Sequence, residues 1–291
     1  MKSLPILRWR CRDLVLEAGA RTLVMGILNV TPDSFSDGGQ FFDMQRAVEH
    51  GLRMARDGAD ILDVGGESTR PGAASVSEEE ERHRVIPVIR ELARRTEKPV
   101  SVDTCKARVA EEAVAAGARI INDVTALAGD PDMPRVAAES GAGVVLMHMR
   151  GTPRTMQEDP RYGDVVAEVR AFLEDRVVVA VRAGVAPEAL AVDPGIGFGK
   201  TVEHNIALLV HLKRLTELGR PVLVGLSRKS FIGKITGCDV QERAAASIAG
   251  AAYCALRGAH VLRVHDVKET CEALRFVDML RTREAEHEGV F

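Results

Sequence analysis

The chain has 291 residues, 46% hydrophobic and 28% charged, which is material for one or two domains with a large buried core. Its 39 Lys and Arg stand against 42 Asp and Glu, a net charge of -3, so no bulk positive field exists to hold nucleic acid or an anionic membrane surface. Aromatics at 4% leave little to stack single-stranded bases, and five cysteines without a CxxC pair read as reduced thiols rather than a disulfide framework or a zinc knuckle. Apolar runs such as GVVLMHM and VLRVHDV fall far short of the roughly 18 residues of a spanning helix. The opening MKSLPILRWRCRD lacks a long apolar core with a small-residue cleavage site, so the expected location is the cytoplasm.

Residues 1–21 carry no motif and are expected to form a cap segment, a short strand or hairpin closing the bottom of the fold. From residue 22 onward, short Val/Ile/Leu-rich runs alternate with segments of helical period. The strand candidates are 22–30, 60–65, 99–103, 119–124, 143–149, 190–194, 221–226 and 261–266. Helical candidates come after them at 43–57, 77–95, 106–116, 164–183, 202–213, 241–257 and 267–284, with DPDMPRVAAES the weakest of the set. Small-residue turns, DGAD, AAGAR, SGAG and RGAH, end several helices, since Gly past a helix end takes the left-handed conformation without a Cβ clash. Eight βα units over 22–285 predict a single (β/α)8 TIM barrel, with 286–291 as a tail. A doubly wound open sheet is the alternative, but NVTPDSFSDGGQFF after the first strand is no dinucleotide fingerprint.

The strand ends are unusually polar: Asn29, Asp63, Asp103, Asn122 with Asp123, His148, Asp193, Ser227 with Arg228 and Lys229, then Arg263 with His265 and Asp266. Any one of them reads equally well as a helix N-cap, but a whole ring of such groups at the catalytic face of a barrel points to an active site. Two long Gly/Ser/Thr-rich loops after strands one and two read as binding loops. Basic residues on the same rim, Arg70, Lys229, Arg263 and His265, suit a small polyanionic substrate in an otherwise acidic chain. EEEERHR reads as a solvated helix face. From the residues alone the reading stops at a barrel enzyme for a phosphorylated small molecule.

The segments GILNVTPDSFSDGG, DVGGESTRPGA, VDT, INDV, MHMRGTPRTMQ, DPGIGFGK, GLSRKSFIG and RVHDV resemble, in order and spacing, the signature set of the dihydropteroate synthases of the pterin-binding family. One departure is visible: Cys105, Lys106 and Ala107 come after VDT, where relatives more often show Ser or Tyr and then Lys-Pro. The resemblance implies a transferase of folate biosynthesis, a sulfonamide target. It would join p-aminobenzoate to 6-hydroxymethyl-7,8-dihydropterin pyrophosphate, SN1-like, with Mg²⁺ as cofactor and a homodimeric assembly. Asp103, Lys229, Arg263 and His265 are the implied catalytic residues. Asp103, Asn122, Met147, Asp193 and Lys229 would bind the pterin; Asn29, as metal ligand, with Thr69, Arg70, Arg263 and His265 would bind pyrophosphate. Phe35, Thr69, Arg70, Pro71, Phe198, Ser227 and Lys229 would bind p-aminobenzoate. A corrinoid methyltransferase using methyltetrahydrofolate, or a silent pterin-binding paralogue, are the competing readings. The first has no use for SRKS or the FSDGG loop, and the second would be expected to have lost one of Asn29, Asp103, Lys229 or His265.

Overall fold

Strands buried on both faces read as near-continuous Val, Ile and Leu runs, and the described residues of this chain form eight of them. The computed structural model describes residues 5–31, 40–68, 75–152 and 154–288. It opens with an antiparallel hairpin, β1 (Leu7–Cys11) and β2 (Leu14–Ala18). The parallel strands are β3 (Leu23–Asn29), β4 (Ile61–Gly65), β5 (Val100–Asp103), β6 (Ile120–Asp123), β7 (Gly143–Met147), β8 (Leu190–Asp193), β9 (Leu223–Val224) and β10 (Val261–Val264). They lie in the order β8-β7-β6-β5-β4-β3-β10-β9. The two edges meet where Val192 bridges Val222 and its N–H donates to the Pro221 carbonyl at 2.9 Å. The expected (β/α)8 barrel is formed, and the N-terminal hairpin plugs its bottom.

The helices are α1 (Gln40–Asp57), α2 (Glu78–Arg95), α3 (Ala107–Ala115), α4 (Met133–Ser140), α5 (Val165–Arg182), α6 (Val202–Val210), α7 (Lys213–Thr216), α8 (Ser230–Thr236), α9 (Ala244–Leu256) and α10 (Val267–Glu288). The weak DPDMPRVAAES segment is α4, a helix of eight residues. The 202–213 candidate splits into α6 and α7, and α8 is an addition to the expected helices; Gly237, at φ +75°, ends it. The glycines of the four turn motifs, Gly58, Gly117, Gly141 and Gly258, all have positive φ. The solvated reading of EEEERHR fails at one residue. Glu81 of α2 is buried and ion-paired to Lys106, which also holds Glu67. No helix among the described residues is long and apolar enough to cross a membrane.

Period two along each strand decides what enters the barrel. The lower interior is a dry cluster of Leu23, Met25, Ile61, Ile120, Val145, Ala191, Leu223 and Val261, capped by Trp9 and Cys11 from the hairpin. Trp9 is fully buried and its indole N–H donates to the Ala189 carbonyl at 2.8 Å. Two residues further along the same strands, the same alternation turns Asp63, Asn122, Met147, Asp193 and Arg263 inward. The opposite parity packs Leu62, Val64, Val102, Ile121, Val144, Leu146 and Val192 under the helices.

Candidate active site

The upper interior is organised around one guanidinium. Arg263 Nε donates to Asp63 at 2.6 Å and Arg263 Nη2 to Asp103 at 2.5 Å. Asn122 Nδ2 donates to the same Asp63 oxygen at 3.2 Å, while the other Asp63 oxygen is buried without a partner among the described residues. Two buried carboxylates thus share one cation. Burial pushes the Asp103 carboxyl up to about 7, opposed by the Arg263 charge and reinforced by Asp63. Arg263 itself is held firmly charged: desolvation works against it, but Asp63 and Asp103 outweigh that penalty.

Asp193, at the end of β8, is buried and accepts from the Gly195 N–H at 2.7 Å. Its pKa is raised by burial and opposed by Lys229. Lys229 lies beyond the end of β9; burial brings its ammonium down to about 8, with Asp193 working the other way. Its Nζ donates to the Ile196 carbonyl and lies 4.5 Å from the centre of the Phe198 ring. Ser227 and His265 come together at the ends of neighbouring strands: the Ser227 hydroxyl accepts from the His265 N–H at 3.2 Å and lies 3.1 Å from its Nδ1.

These contacts bring Asp103, Asn122, Asp193, Lys229 and Arg263 to one end of the barrel, with the Met147 side chain buried at the end of β7. Asn29 ends β3, in register with Gly65, which pairs in turn with Asp103. Phe35, Thr69, Arg70 and Pro71, and with them most of the two long loops, lie outside the described residues.

Not every member of the polar ring serves this interior. Asp123 closes its own turn, accepting from Thr125 N–H and hydroxyl, both at 2.7 Å, and from Leu127 N–H at 2.9 Å. Asp266 pairs with both ends of the Arg228 guanidinium fork and so holds that residue at φ +56° between Ser227 and Lys229. Cys105 is half-buried, and desolvation pushes its thiol up to about 12, which disfavours the thiolate at neutral pH. Asp63 is visible in the sequence as a strand-end carboxylate but has no role in the expected site. Lys200 ends the DPGIGFGK segment but has no role in the expected site, because a Lys after a glycine turn reads as solvated.

Residues 25–265 match the family of pterin binding enzymes. The chain is 52% identical over 255 residues to the Escherichia coli (strain K12) dihydropteroate synthase, covering 88% of this chain and 90% of that one. Among solved structures, it resembles the Xanthomonas albilineans dihydropteroate synthase with 4-aminobenzoic acid: TM-score 0.89, 51% identity, 95% of this chain and 99% of that one. The Xanthomonas albilineans enzyme in complex with 7,8-dihydropteroate gives a TM-score of 0.85 at 48% identity, covering 94% of this chain and 98% of that one. The chain belongs to the pterin-binding enzyme family and, within it, to the dihydropteroate synthases, which are transferases.

Proposed function

We propose that the protein joins p-aminobenzoate to 6-hydroxymethyl-7,8-dihydropterin pyrophosphate, forming 7,8-dihydropteroate and releasing pyrophosphate. The supporting observation is the cluster of Asp63, Asp103, Asn122, Asp193, Arg263 and Lys229 at one barrel end. A dihydropterin presents an amino group and ring N–H donors on one edge, which Asp193, Asp103 and Asn122 accept or pair with, over the Met147 side chain. Lys229 exchanges the Ile196 carbonyl for the pterin carbonyl and ring nitrogen.

The carbon–oxygen bond to pyrophosphate breaks first, and both electrons leave with the phosphate oxygen. The cation that remains is delocalised over the ring, and the ionised Asp103 carboxylate stabilises it where charge is poorly screened. The lone pair of the aniline nitrogen then forms the new carbon–nitrogen bond, and its proton passes to water. Positive charge for the leaving group comes from Arg263, His265 and Arg70 of the second long loop, and the Thr69 hydroxyl adds a neutral hydrogen-bond donor. The p-aminobenzoate ring stacks against Phe198, with Phe35 and Pro71 completing the wall, and its carboxylate meets Ser227 and the backbone beside it.

The residues present fit Mg²⁺ as an ion carried in with pyrophosphate. Among the described residues no group of three or more His, Cys, Asp or Glu is placed to hold a metal, and Asn29 supplies a single neutral oxygen. Such a donor suits a hard cation that keeps most of its waters and its phosphate ligands. Held by Asn29 and the substrate, Mg²⁺ would neutralise charge developing on pyrophosphate.

We further propose a cytoplasmic homodimer. Phe276, Met279 and Leu280 of α10 are 68%, 58% and 47% exposed, an apolar surface that a second copy would cover. The small-residue stripe of α9 is used within the monomer, where a Cβ on Gly250 would meet Leu226 at 3.0 Å. Sedimentation of the protein and of Phe276→Glu is expected to show a dimer and a monomer respectively.

The deciding assay measures pyrophosphate release from the dihydropterin pyrophosphate with Mg²⁺, with and without p-aminobenzoate, beside dihydropteroate itself. Dihydropteroate is expected in step with pyrophosphate. Tight pterin binding without product would favour the silent paralogue and overturn the reading. Because much of the second site comes from the two loops, p-aminobenzoate is expected to bind only after pyrophosphate and Mg²⁺. Equal affinity with and without them would refute that order.

A further inference from the structure

Four consecutive carbonyls in the DPGIGFGK turn are each held by a different side chain. Lys229 donates to Ile196, Gln157 Nε2 to Gly197 at 2.7 Å, Lys200 Nζ to Phe198 at 2.9 Å, and the Tyr162 hydroxyl to Gly199 at 2.8 Å. The turn belongs to neither a strand nor a helix, so these carbonyls have no ladder to join. It also lies hard against the end of β7. Gly195 has φ +64°, and a Cβ there would sit 1.9 Å from the His148 carbonyl, so only glycine allows this approach.

Lys200 is the one charged donor of the four that the proposed chemistry leaves unused, and it is 3% exposed. Its Nζ also reaches His148 Nδ1 at 2.9 Å and the His148 carbonyl at 3.4 Å. The His148 ring is fixed in turn by Phe172, edge-on with centroids 4.8 Å apart, and by Tyr162 at 6.0 Å. Burial, with the Lys200 charge second, holds the imidazole down at about 3; it stays neutral and its Nδ1 accepts from the amine. Burial also draws Lys200 down to about 7, with Asp193 favouring its charge and Lys229 opposing it.

A buried amine is an expensive way to fill space; an apolar side chain of the same length would pack there without desolvation. What this one does is join the end of β7 to the backbone of Phe198, the residue whose ring faces Lys229. We infer that Lys200 is a positioning residue for the second substrate: by tying the Phe198 carbonyl to His148, it sets the ring against which p-aminobenzoate stacks. The inference rests on the synthase reading proposed above. Lys200 touches neither substrate, and it acts through Phe198.

The test is steady-state kinetics on the full-length protein with Lys200→Met, which keeps the length of the side chain and removes the donor. The KM for p-aminobenzoate is expected to rise about tenfold, the equivalent of one lost hydrogen bond from a charged group. The kcat and the KM for the pterin pyrophosphate should stay within about twofold. Lys200→Gln, which returns a donor for the Phe198 carbonyl, is expected to recover part of the loss. In a Phe198→Ala background, Lys200→Met should add nothing, because the residue it acts through is gone. An unchanged p-aminobenzoate KM, an equal loss in all three parameters, or full additivity with Phe198→Ala would overturn the inference. Should Lys200→Met not fold, Lys200→Gln must by itself show the selective rise, and its absence counts against the inference. A wild-type protein that makes no dihydropteroate removes the synthase reading together with this inference. An active wild type whose variants show no split removes the inference alone.

Discussion

The two ends of this barrel are built on the same strands, one pleat apart, and they solve opposite problems. At the bottom, Ile61, Ile120, Val145, Ala191 and Val261 close around Trp9, whose indole N–H is satisfied by a backbone carbonyl. About 6.6 Å along the same strands, Asp63, Asn122, Met147, Asp193 and Arg263 take the equivalent places, and the carboxylates outnumber the nearby cation at the centre. The lower layer is matched to itself; the upper layer carries acceptors that its own side chains do not saturate. Buried charge that the protein leaves incompletely paired is a binding preference, since a ligand with the right donors relieves it.

The largest effects should separate the two ends. Trp9→Ala is expected to lower unfolding stability by about 3–5 kcal/mol, as for other large buried aromatics, while activity per folded molecule is unchanged. Arg263→Met leaves Asp63 and Asp103 without their shared cation, a loss of about 3–5 kcal/mol for a broken buried pair, and should abolish turnover as well. The two deficits differ in pH dependence. Acid should relieve that of Arg263→Met, because Asp103 already titrates near 7 and takes up a proton once its cation is gone. The Trp9→Ala deficit should not change. Chemical denaturation from pH 5 to 8 checks this, and parallel pH dependence in both variants would erase the distinction.

The bottom of the barrel is easier to read in the sequence than the top, and the reason is physical. Strands and the helices over them announce themselves by apolar period and by glycine stops such as Gly58 and Gly141, because burial of apolar area is a local, repetitive requirement. The strand-end ring announces a site, yet it does not say which members face in. Parity does: Asp63 and Asp193 turn inward, whereas Asp123 closes its own turn and Asp266 holds Arg228 beyond the neighbouring strand. Arg263 is expected beside pyrophosphate, and the sequence holds no sign that its partners are Asp63 and Asp103, 200 and 160 residues away. Lys200 is invisible for the same reason: its burial comes from the fold of β7 and the glycine turn, not from its neighbours in the chain.

A second group of effects arises from the titration of the upper layer. Pterin donors favour an ionised Asp103, so affinity should fall as pH drops through about 7. It should fall again as pH rises through about 8, where Lys229 loses the charge that strengthens its donation to the pterin. Pterin affinity is therefore expected to peak between those values, with about a tenfold change per pH unit on each limb at most, and Asp103→Asn should remove only the acid limb. Stability of the ligand-free protein carries the opposite sign for Asp103. Its folded pKa is raised, so its contribution falls as pH climbs from 3.8 to about 7. Lys229 and Lys200, lowered from 10.5 to about 8 and about 7, bind fewer protons in the folded state than in the unfolded one; their contribution rises with pH up to 10.5. The difference in thermal midpoint between wild type and Lys200→Met should accordingly shift in favour of wild type from pH 7 to 10. Calorimetric titration and thermal scans measure the two profiles.

The smallest expected effects test the same contrast within one helix, α2, whose first turn carries four consecutive glutamates. Ser77 caps that turn, accepting from the Glu80 N–H at 3.2 Å, and Ser77→Ala should cost about 1 kcal/mol. Glu78 is only half-buried and its pairing with Arg108 is long, at 3.9 Å, so its neutralisation to Gln should stay within about 0.5 kcal/mol. Glu81 is different, because it is buried on Lys106 alongside Glu67, the residue that opens the second long loop and accepts from the Val76 N–H at 3.3 Å beyond it. Glu81→Gln should therefore destabilise more than Glu78→Gln and also weaken p-aminobenzoate binding, since Glu81 helps to fix the Lys106 ammonium in the position from which it meets Glu67. Equal, negligible effects at both positions would mean that the charged run is a solvated face after all, and that the loop takes no support from it.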